Sequence, residues 1–134
     1  MKKTTLYIIL LISTLTFAQK NSGNNNSEKK ANKYILYKTN AHASYYNDKF
    51  NGKRTASGKR FDNNKFTAAH KKFAFGTKLK ITNERNNKSV IVEVIDRGPF
   101  SKKREIDLTK RAFMKIASNK RSGSMNVKIE LLKN

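Results

Sequence analysis

Val90-Ile91-Val92-Glu93-Val94-Ile95-Asp96-Arg97-Gly98-Pro99-Phe100 decides how the rest of the chain is read. A run rich in β-branched residues favours an extended strand, and the Gly-Pro pair that follows ends it in a turn. The strand therefore delivers a carboxylate, Asp96, and a guanidinium, Arg97, to its own mouth. That acid stands out because the chain holds only nine Asp and Glu against thirty Lys and Arg. Proton transfer has few carboxyl groups to draw on, and each can be weighed in turn.

Working outward, residues 89–95 form the strand just described. Further strands are predicted at residues 42–46, at 78–82, where Leu79 and Ile81 alternate, and at 126–131, where Val127, Ile129 and Leu131 share a face. Glu84-Arg85-Asn86-Asn87 is built of turn formers and predicts a hairpin. Thr109 is placed to cap a short helix that turns Ala112, Phe113, Ile116 and Ala117 inward. Several strands with one or two short helices indicate a mainly β domain, a small barrel. Residues 47–65, by contrast, are polar and punctuated by Gly52 and Gly58. Long loops of this kind in compact domains carry function. The chain shows no internal repeat.

At the N-terminus Lys2 and Lys3 precede an apolar run over residues 6–17, and Thr16-Phe17-Ala18 supplies small residues at a cleavage point. This pattern predicts an export signal over residues 1–18. The run is too short for the roughly 20 apolar residues of a membrane span. Residues 19–33 are Asn-, Ser- and Lys-rich and are expected to be a disordered linker. Residues 34–134 then form one domain with one core, of a size that folds alone. Cysteine is absent, so the domain has neither disulfides, nor a lipid-bearing thiol, nor a thiolate metal site. No metal constellation and no cofactor motif is visible. Removing residues 1–18 takes away Lys2 and Lys3, leaving a formal charge two units below the +21 of the whole chain. A surface so cationic seeks polyanions, which sets affinity and not identity.

Ala43-Ser44-Tyr45-Tyr46, Thr55-Ala56-Ser57-Gly58, Thr67-Ala68-Ala69-His70-Lys71, Phe75-Gly76-Thr77, Asp96-Arg97-Gly98-Pro99-Phe100 and Ile106-Asp107-Leu108-Thr109 occur in this order. Together they resemble the rare lipoprotein A family, over residues 43–131. The resemblance implies a six-stranded double-psi β-barrel, a fold shared with expansins and barwin-like proteins. It also implies an extracytoplasmic lytic transglycosylase that cleaves peptidoglycan between N-acetylmuramic acid and N-acetylglucosamine without water, leaving a 1,6-anhydro end. The expected partner is the glycan strand, peptide-bearing or peptide-stripped, met by a monomeric exported protein in the periplasm or outside the cell.

Under that resemblance Asp96 matches the family's acid and His70 its pocket histidine. These two are the expected catalytic residues, while Tyr45, Thr55, Ser57, Lys59 and Arg97 are the expected substrate-binding set. Arg97 has a second reading, as a structural ion pair with Asp96. One of the adjacent Tyr45 and Tyr46 belongs in the groove, because neighbours on a strand point oppositely. The chain departs from the family at Lys59, where a glutamate commonly follows Thr-Ala-Ser-Gly. An ammonium with a reference pKa of about 10.4 is a poor proton donor to a glycosidic oxygen. Glu93 is three residues before Asp96, an odd offset that ideal alternation sends to the opposite face. Asp62 is read as a loop former and Asp107 as an architectural acid near the helix start. Asp48, Glu84, Glu105 and Glu130 are read as turn, edge or surface charges, and His42 as structural. Two further functions stay in view. One is a catalytically silent barrel that grips wall glycan, as expansins do. The other is nucleic-acid binding, against which stand the export signal and the absence of any base-reading motif.

Overall fold

A computed structural model describes residues 33–133. The export signal expected over residues 1–18, and all but the last residue of the linker, lie outside the described residues. Six strands close into a barrel: β1 (Tyr34–Tyr45), β2 (Thr67–His70), β3 (Lys78–Asn83), β4 (Ser89–Asp96), β5 (Ile106–Leu108) and β6 (Ser124–Leu132). Their order round the barrel is β1-β5-β2-β4-β3-β6. β1 pairs with β5, and β2 with β4, in parallel, while the other neighbours are antiparallel. The expected six-stranded double-psi barrel is thus the fold observed. Closure leaves no free sheet edge.

β3 and β4 form the predicted hairpin, in register from Lys78↔Glu93 to Thr82↔Ser89. Its turn is tied by Asn87 N–H to Asn83 O at 2.9 Å. Asn87 takes φ +58°, which asparagine tolerates better than other non-glycine residues. Inside the barrel Val90, Val92 and Val94 meet Leu79, Ile81, Val127 and Ile129, all buried. Helix α1 (Lys110–Ile116) covers one end with Ala112, Phe113 and Ile116, as its spacing predicts.

Three features differ from the sequence reading. β1 starts eight residues before the predicted strand at 42, since Tyr34-Ile35-Leu36-Tyr37 lacks alternation and the strand bends through two register shifts against β6. β2 and β5 are four and three residues long, too short to show a period. Thr109 sits at the helix N-cap, but its hydroxyl donates to Lys65 O at 2.5 Å. The cap is supplied by Asn63 instead, whose Oδ1 accepts Lys110 N–H at 2.8 Å.

Candidate active site

Residues 47–65 are a folded loop rather than a slack one. A short 3₁₀ turn, Asp48–Phe50, opens it. The segment that follows is a small hairpin: Gly52 N–H to Phe61 O, Phe61 N–H to Lys53 O and Thr55 N–H to Lys59 O, each 2.8 Å. Gly58 turns the tip at φ +88°, a conformation costly to any residue with a Cβ. The tip lies on the end of β4, where Ser57 N–H donates to Ile95 O at 3.1 Å and Ala56 N–H to Asp96 Oδ1 at 2.9 Å.

Asp96 is where the strand reading placed it, at the last residue of β4. Its carboxylate faces three donors: Ala56 N–H, its neighbour Arg97 N–H at 2.9 Å, and the Tyr46 hydroxyl, which reaches Oδ2 at 2.7 Å. Burial, reinforced by Asp96, pushes the Tyr46 phenol far above its ordinary value of about 10, so it remains a donor. Of the adjacent tyrosines Tyr46 therefore reaches the acid, while Tyr45 packs its ring on Phe113, centroids 4.7 Å apart. Tyr46 itself rests on Phe61 and Phe50.

Arg97 is not an ion-pair partner of Asp96. Its Nη1 donates to Phe73 O at 2.8 Å and His70 O at 3.3 Å, and its guanidinium stacks 4.0 Å over Phe75. It pins the loop between β2 and β3. Thr55 and Ser57 share a hydrogen bond at 3.0 Å, and Thr55 Oγ1 also donates to Lys59 O, so both hydroxyls brace the tip. Asp62 accepts Asn64 N–H within its own turn, and Asp107 takes Ser44 Oγ–H and lies 3.7 Å from Arg104. Both match the architectural reading.

His70 is fully buried, and its hydrogen bonds fix its chemistry. Nδ1 accepts the backbone N–H of Lys72 at 3.1 Å, and Nε2 faces Glu105 Oε1 at the same distance. An Nδ1 that accepts carries no proton, so the neutral ring holds its hydrogen on Nε2 and donates to Glu105. Burial lowers the His70 pKa below the usual imidazole value despite the carboxylate beside it. Tyr37 and Phe73 enclose the ring. The carboxylate bonded to the histidine is thus Glu105, which is a partner of the buried ring and not a surface charge. Burial pushes Glu105 upward, but hydrogen bonds from Lys38 and His70 outweigh it and leave the group lowered.

Lys59 and Glu93 also meet. Lys59 Nζ lies 3.0 Å from Glu93 Oε2, and Lys78 Nζ 3.7 Å from Oε1. The bond from Lys59 holds Glu93 below the ordinary carboxylate range, against the opposing pull of burial. With Lys59 61% exposed, such a pair adds at most about 1 kcal/mol to stability. The odd spacing of Glu93 and Asp96 does not send them to opposite faces. β2 pairs Ala68 with Val94 but Ala69 with Asp96, so Ile95 is an extra residue, a β-bulge. Val94 and Ile95 are both buried, and Asp96 returns to the outer face that Glu93 occupies. The hairpin tip crosses that face and touches both acids.

Among the described residues no group of three or more His, Cys, Asp or Glu is arranged to hold a metal ion. No helix among them is long and apolar enough to cross a membrane.

A family model described as lytic transglycolase matches residues 38–129. The probable endolytic peptidoglycan transglycosylase RlpA of Synechocystis is 47% identical over 90 residues, 67% of this chain and 28% of that protein. The endolytic peptidoglycan transglycosylase RlpA of Neisseria meningitidis is 42% identical over 99 residues, covering 74% of this chain and 41% of its own length. The chain thus spans well under half of these curated relatives. Among solved structures, a Clavibacter michiganensis expansin in complex with cellohexaose aligns with a TM-score of 0.57 at 17% identity, over 71% of this chain and 50% of that one. The Streptomyces papain inhibitor aligns with the same score at 19% identity, over 75% of this chain and 94% of its own. A closed barrel with two parallel pairings, an acid held at the end of β4 and a family match across nearly the whole barrel place this chain in the RlpA-like double-psi β-barrel family of lytic transglycosylases.

Proposed function

We propose that this domain is a peptidoglycan lytic transglycosylase, exported by residues 1–18, that cleaves the bond between N-acetylmuramic acid and N-acetylglucosamine and leaves a 1,6-anhydro end. One observation carries the reading: Asp96 stands on the outer face at the end of β4 with three donors fixing its orientation. Breaking a glycosidic bond needs a proton for the leaving oxygen and tolerance of an oxocarbenium-like centre. In the proposed cycle Asp96, protonated, donates to that oxygen as the C1–O bond breaks. The C6 hydroxyl of the same muramic residue closes on C1, and its proton returns to the Asp96 carboxylate. Atoms and charge balance without water, and the Tyr46 hydroxyl and two backbone N–H groups hold the carboxylate on line for the return. His70, enclosed and bonded to Glu105, serves as a positioning residue by holding the segment whose carbonyls Arg97 grips.

The second reading, a glycan-binding barrel without turnover, is favoured by Lys59 at the position where the family commonly carries glutamate. The two separate in one experiment. The exported chain and its Asp96→Asn variant are incubated with peptide-bearing and peptide-stripped sacculi, and soluble products are read by mass spectrometry alongside pelleting. Anhydro products from the parent, reduced at least a hundredfold in Asp96→Asn with pelleting unchanged, are expected. Pelleting with no anhydro product from the parent selects the binding barrel.

A further inference from the structure

We infer that Glu93 is a second functional carboxylate on the face of Asp96, and that with Lys59 as its counter-ion it positions the loop tip that holds the acid. The inference rests on the proposed activity and names one more residue for it. Three observations converge. The Ile95 bulge turns Asp96 onto the face of Glu93, so the two acids stand on one surface despite their odd spacing. The hairpin tip bridges them, bonding Asp96 through Ala56 N–H and Glu93 through Lys59 Nζ. The Glu93 side chain is 22% exposed, so the pair is partly shielded from water.

Position 59 cannot itself supply an anion, but its ammonium sits 3.0 Å from one. A carboxylate therefore remains within a hydrogen bond of the loop, with the chain element that carries it changed. Lys59 and Lys78 bracket Glu93 and keep it ionised, so it is unsuited to donate a proton. Its role is that of a positioning residue: through Lys59 Nζ it anchors the hairpin tip whose Ala56 N–H orients the Asp96 carboxylate. Asp96 alone handles the proton, so no additional reactant enters the step.

The test uses four forms of the exported chain: the parent, Glu93→Gln, the double variant K59M/E93M and the exchange variant K59E/E93K. Anhydro-product release is measured at saturating sacculi, well below each form's melting temperature. Glu93→Gln is expected to lose at least tenfold in kcat with pelleting unchanged, and K59M/E93M to fall as far. The exchange variant, which returns the carboxylate to the loop and its counter-ion to the strand, is expected to recover to within about threefold of the parent. Glu93→Gln within twofold of the parent overturns the assignment, as does an exchange variant no more active than Glu93→Gln. Recovery in both double variants would show that only the unpaired charge was harmful and overturns it as well. A parent that pellets but releases no anhydro product removes the proposed activity itself, and the role of Glu93 with it.

Discussion

Asn63 is 4% exposed and its side chain is fully engaged. Oδ1 accepts the helix-capping Lys110 N–H, and Nδ2 donates to Tyr46 O at 3.1 Å and Asp48 Oδ1 at 2.7 Å. One amide thus joins the start of α1 to the residue whose hydroxyl orients Asp96. Asn63→Ala leaves the Lys110 donor and the Tyr46 acceptor without partners in a poorly hydrated place. The expected loss is about 2–3 kcal/mol, read from the denaturant midpoint, with a fall in anhydro release from the loosened Tyr46. A midpoint unchanged within error would show that water replaces the amide. Nothing in the local sequence distinguishes Asn63 from Asn64 beside it. The capping signal pointed to Thr109, because a cap donated from 47 residues away leaves no mark near the helix.

The tip of the 53–60 hairpin is the element that brings loop and strand together. Its turn depends on Gly58, at φ +88° with no atom within 4 Å of the place a Cβ would take. Gly58→Ala therefore meets no clash and costs only backbone strain, about 1 kcal/mol. Because the tip delivers Ala56 N–H to Asp96, activity is expected to fall several-fold while the melting temperature drops only a few degrees. Equal anhydro release from parent and variant would show that the tip does not position the acid. The glycine punctuation of residues 47–65 was legible as a functional loop. That the loop is a hairpin laid on the end of β4 was not, since its contact at Ile95 is made by backbone groups common to every residue type.

At the scale of the whole molecule the buried and paired ionisable groups give the fold one direction of pH dependence. His70 has a depressed pKa, so below about 6.5 the unfolded imidazole takes up a proton that the folded one refuses. Its stabilising contribution is complete above that pH and is lost as pH falls toward the lowered value. Glu93 and Glu105 are lowered from 4.5, so their contributions hold above that value and are lost on further acidification. All three point the same way. The denaturant midpoint is expected to be lower at pH 5 than at pH 7.5. The His70→Gln variant, less stable at pH 7.5, is expected to show a smaller difference. A parent midpoint that rises on acidification would contradict the buried neutral histidine. The cationic excess adds self-repulsion in the same direction.

The sequence by itself determined the barrel's main strands, the β3–β4 hairpin, the inward face of α1 and the position of Asp96 at a strand mouth. These are written in periods and turn residues that act over a few neighbours. Tertiary structure alone decided the partners. His70 meets Glu105 across 35 residues and Lys59 meets Glu93 across 34, and a single inserted residue at Ile95 sets which face Asp96 shares. The physical reason is that pairing in a closed barrel depends on strand register. A one-residue bulge reverses the facing of every side chain beyond it, yet Val94-Ile95 simply resumes the apolar run after Glu93 and carries no sign of the bulge.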